Sequence, residues 1–463
     1  PQLTGQRATL RATDENVPIA RSAGRPTLSN ANSVTQSVWN SAGDTAYSRQ
    51  MTAGVDLSVP VYRAGSVSNA VRAAEVRVQA GRAQLRGTET DLFVSVVTAY
   101  MDVIQNEAIV RLNQQNVHML EVNLEATRDR FEVGDLTRTD VAQSEARLAL
   151  AQSQLRGVEA NLIASRESFV NVVGVAPGEL APPPALPNLP DSPQTAVSVA
   201  LEENPTLEAA RHSADATGYD VAVARAGRMP QVSVGASADY YNYLGSLTSA
   251  ARASGYDNDG LSTSVGVQLS MPLLQGGRVG AQVRQAQARE SAAIEQVTAT
   301  ERSVVAQARS AFARYQSSLR VIDSTRVAVQ ANTLSLEGVR AENSVGTRTI
   351  LDILNAEQEL LNAQVQYVTA QRDAYVAGFT LLSIMGRAEA SDIGLDGGAL
   401  YNPAGNYDRV QGRWFDWGGD DPDPAPVATP TTGTEPQTPD VRGTLDPLLQ
   451  RPVDSGSPYT SME

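Results

Sequence analysis

The chain contains no cysteine. Disulfides, thiol nucleophiles and cysteine-bearing metal centres are thereby excluded within it. It contains no lysine either: all 37 basic residues are arginine, set against 51 acidic ones for a formal net charge of −14. No basic run interrupts that balance, and phosphate binding needs clustered cations, so nucleic acid is not an expected partner. Histidine is scarce. His118 and His212 both fall in helical runs, with no nucleophile motif beside them. Gly276-Gly277-Arg278-Val279-Gly280 has neither a dinucleotide-binding nor a P-loop spacing. Asp420, Asp421 and Asp423 lack the ligand order of a calcium loop. Catalysis is therefore not expected, and no cofactor or metal is implied. Long apolar runs are missing as well. The longest candidate, Ala374 to Met385, carries Gly378, Thr380 and Ser383 and falls short of the ~20 residues of a spanning helix. A helical membrane protein is excluded; a β-barrel is not.

What is present is a duplication. A shift of 212 superimposes residues 55 to 174 on 267 to 386 without a gap. Pro60 falls on Pro272, Gly65 on Gly277, Gly134 on Gly346, Thr137 on Thr349, Asp140 on Asp352, Glu145 on Glu357 and Gly174 on Gly386. Upstream, a shift of 204 pairs Pro1 with Pro205, Arg21 with Arg225 and Pro26 with Pro230. The chain reads as a tandem repeat plus a tail. Because Pro1 matches a residue inside the second copy's helical run, the first helix is expected to have begun further upstream.

Each copy has the same grammar. In copy one, Thr27 to Trp39 and Tyr47 to Tyr62 read as strands around the turn Asn40-Ser41-Ala42-Gly43-Asp44. In copy two, Val232, Val234, Ala236 and Ala238 alternate with small polar residues, as do Leu261, Val265, Val267, Leu269 and Met271. One apolar and one small polar face suits a soluble sandwich or a transmembrane barrel. Tyrosines and Trp39 near the strand ends, and the very long helices on either side, favour the barrel. From Val67 to Phe131 no proline occurs, and the helical pattern implies a rod of roughly 95 Å at 1.5 Å per residue. Thr139 to Val173, Val279 to Asn343 and Thr349 to Met385 read as further long helices. Gly81, Gly87, Gly157, Gly338 and Gly378 each weaken them by about 1 kcal/mol, which lateral packing would have to offset.

The helices reverse at Val133-Gly134 and at Val345-Gly346-Thr347, where glycine lets a helix end. Beyond the second turn, Ile350, Ile353 and Leu354 form an apolar stripe, while Arg348 and Asp352, four apart, share another face.

Two tandem β-hairpins flanked by long helices turning at Val-Gly tips resemble the TolC family of outer-membrane exit ducts. The segments that carry the likeness are Leu273-Leu274-Gln275-Gly276-Gly277-Arg278-Val279, Arg130-Phe131-Glu132-Val133-Gly134 and Ser344 to Asp352. The resemblance implies a mainly α fold with a transmembrane β-barrel. Three chains would each give four strands to a 12-stranded barrel in the Gram-negative outer membrane and their helices to a tunnel in the periplasm. The expected parts are a helix at 1–24, hairpin 25–64, helices and tip 65–174, an equatorial joint 175–193, helix 194–228, hairpin 229–276, helices and tip 277–386, equatorial segment 387–415 and a disordered tail 416–463. The implied partners are two further copies, outer-membrane lipid, a periplasmic adaptor and an inner-membrane ABC transporter or proton-driven pump. The cargo would be drugs or secreted protein, conducted passively. A soluble coiled-coil scaffold is the rival reading.

The likeness also implies roles for single residues. Thr139, Asp140 and Arg348 match positions that hold neighbouring helix pairs shut, with Asn343 standing where a tyrosine belongs to that network. Asp352 matches an acidic ring at the constriction, and Asn355 replaces a second aspartate ring. Three facing Asp352 carboxylates would raise their own pKa and attract cations; the other reading makes Asp352 a first-turn carboxylate stabilising its helix start. Val133, Gly134, Val345, Gly346 and Thr347 would meet the adaptor.

Overall fold

The computed structural model describes residues 1–38, 47–390, 392, 401–417, 435–442 and 444–450. Trp39, the turn at 40–44 and the Asp420, Asp421, Asp423 cluster lie outside them.

Alternating apolar and polar residues produce four strands, β1 (Thr27–Gln36), β2 (Arg49–Tyr62), β3 (Gln231–Asn242) and β4 (Asp259–Ser270), paired antiparallel in chain order. The two copies meet at the β2–β3 ladder. Cross-strand partners share a face. Leu28, Leu57, Ala236 and Val265 form one row, and Val59, Val234 and Val267 another. This apolar face is uncovered: Leu28 is 71% exposed, Val265 80% and Val267 73%. The opposite face is small and polar, with Ser33 Oγ 2.8 Å from Thr52 Oγ1 and Ser237 Oγ 2.8 Å from Ser264 Oγ. Gly54 belongs there because a Cβ would collide with Asp239 of the neighbouring strand.

Two 67-residue helices, α3 (Ser66–Glu132) and α8 (Arg278–Ser344), start behind the left-handed glycines Gly65 and Gly277. At 1.5 Å per residue each runs about 100 Å. They return as α4 (Arg138–Val173) and α9 (Ile350–Ile384). The remaining helices are α1 (Gln2–Asp14), α2 (Asn16–Ser22), α5 (Pro193–Glu203), α6 (Pro205–Ala226), α7 (Ser249–Ala253) between β3 and β4, and α10 (Gly405–Val410). No described helix is long and apolar enough to cross a membrane.

The core is a set of seams between helices rather than one globule. Helix α9 lies against both α3 and α8, burying Leu360, Leu361, Leu381 and Leu382. Twenty residues of α3 are buried but only seven of α8, so Ile294, Val321, Val327 and Leu334 remain exposed along α8. Close approach explains some helical glycines: a Cβ on Gly378 would lie 2.7 Å from Leu186 Cδ1, and one on Gly81 3.1 Å from Leu10 Cδ1. Gly157 and Gly338 meet nothing within 4 Å, so packing inside one chain does not account for them.

The tail departs from expectation. It is not solvated throughout, because residues 435–442 and 444–450 cross from α4 over α3 to α9. Leu445 and Leu449 join Leu112, Leu360, Leu361 and Val368 in an apolar cluster. Arg166 of α4 is 1% exposed; it binds Glu107 of α3 at 2.5 Å and donates to the carbonyls of Thr438 and Asp440. Arg442 donates to Pro177 O at 2.9 Å, and Gln371 to Asp446 Oδ2 at 3.3 Å. A Pro/Thr/Asp-rich composition describes the segment's average, whereas two leucines and its backbone carbonyls decide its fate.

Arg166→Ala leaves Glu107 buried without its cation and is expected to cost about 3–5 kcal/mol. Paired replacement, Arg166→Met with Glu107→Leu, should recover most of this loss. Chemical unfolding in detergent, followed by circular dichroism, checks both; equal losses in the single and paired variants would contradict the assignment.

Candidate functional site

The far ends of the long helices form two tips built by the same local rules. Gly134 (φ 81°) and Gly346 (φ 78°) take the left-handed conformation that ends α3 and α8. The reversal is fastened by Asp135 N donating to Arg130 O at 2.8 Å in one tip and Thr347 N to Glu342 O at 3.0 Å in the other. The return helices start with reciprocal caps. Thr137 N and Oγ1 donate to Asp140 Oδ2 at 2.8 and 2.7 Å; Thr349 N and Oγ1 donate to Asp352 Oδ2 at 2.9 and 2.8 Å.

Charge then distinguishes the tips. The first carries Arg130–Asp135 at 2.6 Å, and the second Arg348–Glu342 at 2.8 Å, with Arg348 Nη1 also 3.9 Å from Asp352 Oδ1. Asn343 Nδ2 donates to Arg348 O at 2.7 Å. Val133 (81% exposed) and Val345 (73%) stand uncovered at the turns. Beneath the tips, each hairpin is crossed by the same pair in the repeat register, Arg128–Glu145 and Arg340–Glu357. A contact between the hairpins follows where Arg147 Nη2 of α4 donates to Asn355 Oδ1 of α9 at 2.8 Å. Val117, Leu120, Ala151 and Leu354 pack below it.

Arg348, Asn343 and Asp352 are thus gathered in one tip, and Thr139 and Asp140 begin the helix after the other. Among the described residues no hydrogen bond or ion pair joins Arg348 to Thr139 or Asp140. Four participants escape the sequence reading: Thr137, Thr349, Glu342 and Arg147. The repeated Thr-x-x-Asp spacing is the signal that finds the two threonine caps, but Glu342 and Arg147 have no local signature because their partners are set by tertiary placement. Among the described residues there is no group of three or more His, Cys, Asp or Glu side chains able to hold a metal.

In the single chain the Asp352 carboxyl is held below its ordinary range, first by the Thr349 backbone donor, then by the Thr349 hydroxyl, with Arg348 adding to the effect. Within one chain this is the reverse of the rise expected for a ring of like charges, because cap donors surround the carboxylate. The Thr137 hydroxyl and then its backbone N–H lower Asp140 likewise. Glu342 raises Arg348.

The family model described as outer membrane efflux protein matches residues 1–175 and 196–387, which take in both hairpins and both tips. The chain belongs to that family. This outer membrane efflux protein is 34% identical over 414 residues to the outer membrane efflux protein BepC of Brucella suis biovar 1, covering 89% of this chain and 88% of BepC. It is 29% identical over 319 residues to the outer membrane protein TolC of Escherichia coli K12, covering 67% and 64%. The alkaline protease secretion protein AprF of Pseudomonas aeruginosa is 28% identical over 67% of this chain and 65% of its own. In fold the efflux protein is similar to the outer membrane protein VceC of Vibrio cholerae, with a TM-score of 0.71 at 23% identity over 83% of this chain and 93% of VceC. The Campylobacter jejuni CmeC outer membrane channel gives 0.73 at 14% identity over 89% and 86%. The protein is therefore a TolC-like efflux channel of the Gram-negative outer membrane. Its family is one of ducts rather than enzymes, and these relatives lend no support to a soluble scaffold.

The lowered carboxyls fix a pH dependence. A depressed folded-state pKa contributes stability that is complete above the unfolded value of about 3.9 and is lost as pH falls through the lower folded value. A spin label on Val345→Cys should keep constant mobility from neutral pH to about 5 and loosen only below about 3.9. Asp352→Asn should already be loose at neutral pH. A transition near pH 6, or an Asp352→Asn tip as rigid as its parent, would contradict the cap.

Proposed function

We propose that three copies of this chain close one 12-stranded barrel and one helical tunnel, which forms the passive exit of a three-part efflux system. The observation that carries the reading is the four-stranded sheet with two open edges. β1 and β4 are each paired on one side only, their apolar face is bare, and four strands cannot close a barrel. Lipid offers no hydrogen bonds, so the edges need the strands of further copies. The uncovered apolar residues of α8 give neighbouring tunnel walls a surface to share.

In this assembly the tips are the periplasmic mouth. Val133, Gly134, Val345, Gly346 and Thr347 meet a periplasmic adaptor, and an inner-membrane ABC transporter or proton-driven pump supplies the energy. Thr139, Asp140, Asn343 and Arg348 act as the gate. Asp352 faces its two copies at the constriction, with Oδ2 on its helix cap and Oδ1 beside Arg348. Asn355, held by Arg147, contributes no charge there. Similarity to the outer membrane efflux protein BepC across most of both chains supports efflux as the role. Export of protein is the second reading, supported by the similarity to AprF and to the proteases secretion protein PrtF of Dickeya chrysanthemi.

Planar-bilayer recording tests the proposal. The parent should conduct, select cations and be blocked by trivalent cations from the tip side. Asp352→Asn should lose part of that selectivity and block while still conducting. A parent without conductance would overturn the duct, whereas identical reversal potential and block in the two proteins would remove Asp352 from the pore.

A further inference from the structure

From Tyr401 through α10 to Trp414 the chain climbs along the flank of the helices toward the sheet. Its contacts follow α1 and α2 in the same order as the residues they meet. The Arg7 guanidinium lies over the Tyr401 ring, 4.4 Å from its centroid. Asn406 Nδ2 donates to Oδ2 of the buried Asp14 at 2.9 Å. Arg21 Nη1 donates to Gln411 O at 2.8 Å. Arg25 then donates to Arg413 O and lies over the Trp414 ring at 4.7 Å. From the α3 side, Arg82 covers the Tyr407 ring at 5.3 Å. This column fixes the height of Trp414, since Arg25 stands two residues before Thr27, the first residue of β1.

That height is the helix-side rim of the sheet. Thr27 pairs with Ser58 near the end of β2, and Gln231, first in β3, pairs with Ser270, last in β4. At this level the segment presents Trp414, 55% exposed, Phe415, 83%, and Trp417, 93%. Leu273 and Leu274, just beyond β4, are also bare at 87% and 91%. Three large aromatics in water are unfavourable, whereas aromatic rings beside arginine suit the boundary between headgroups and acyl chains. Asp416, between the rings, fits the shallow polar layer and not the hydrocarbon.

We infer that Trp414, Phe415 and Trp417 form a membrane anchor seated on phospholipid in the periplasmic leaflet of the outer membrane. The arginine column holds these rings at the level of the sheet's helix-side rim, which is the bilayer boundary for strands that cross it. The anchor rests on the protein's outer-membrane location and needs neither the trimer nor the gate. It gives the segment after α9 a task that the duplicated body does not perform: setting the depth of the barrel from its periplasmic side.

The chain has three tryptophans, so Trp39→Phe leaves Trp414 and Trp417 as its only ones. In vesicles of brominated phosphatidylcholine, their emission should be quenched more by bromine near the headgroup end of the acyl chains than by bromine near the chain end, and little by aqueous acrylamide. Val265→Trp, on the bare row of β4 and with Trp39, Trp414 and Trp417 changed to Phe, sets the depth scale in the same lipids. Strong acrylamide quenching of Trp414 and Trp417 without bromine quenching would overturn the anchor. So would protection from both quenchers, which would place the rings between protein copies.

Discussion

A backbone N–H or C=O that faces hydrocarbon without a partner costs several kcal/mol. The strands of this chain meet that constraint only inside the sheet: β2 and β3 are paired on both sides, while β1 and β4 each keep one open edge. The same chain devotes two 67-residue helices and their returns to a body with thin apolar seams and a bare flank on α8. Open edges above and an open flank below would both be covered by the assembly proposed for this chain.

Within that frame the duplicated halves have diverged by position. Both tips keep the left-handed glycine, the threonine–aspartate cap and the Arg–Glu pair beneath them. Glu145 is half exposed, yet its counterpart in the repeat, Glu357, is 1% exposed, because α9 is tucked against α3 as well as α8. Leu150 on α4 is 66% exposed, and in the same register α9 carries Asn362, also exposed, so an outward position is kept while its apolar side chain is exchanged for a polar one. The divergence is sharpest where Arg166 of α4 falls on Gly378 of α9. The arginine holds the tail strap; the glycine lets Leu186 and Tyr315 approach the helix.

Much of this is legible in the sequence because it is local. Period-two and helical patterning mark the strands and long helices within a few residues of their ends, and the 212-residue register marks both tips. Gly134 and Gly346 announce the turns through backbone sterics, and Thr349 with Asp352 announces a cap through spacing. What stays hidden depends on partners far along the chain. Arg166 and Glu107, Arg147 and Asn355, and Arg25 and Trp414 are separated by sequence but joined by packing, and no short window reports them. The tail misleads because its prolines and acids outweigh Leu445 and Leu449, although those two side chains find a prepared groove. The family likeness directs Arg348 to the other tip; within the chain its nearest acid, Glu342, takes it.

Closure of the sheet by other copies can be tested at its edges, and the absence of cysteine makes the test clean. Ser33→Cys on β1 is combined in turn with Ser262→Cys and Ser264→Cys on β4. In one chain these strands are three spacings apart, about 14 Å, too far for a disulfide. The account predicts that, for at least one pairing, mild oxidation in native membranes gives covalent products of two and three chains and nothing larger, and that each single-cysteine variant gives no three-chain product. Chains that stay monomeric in both pairings, or a ladder that continues past three, would contradict it.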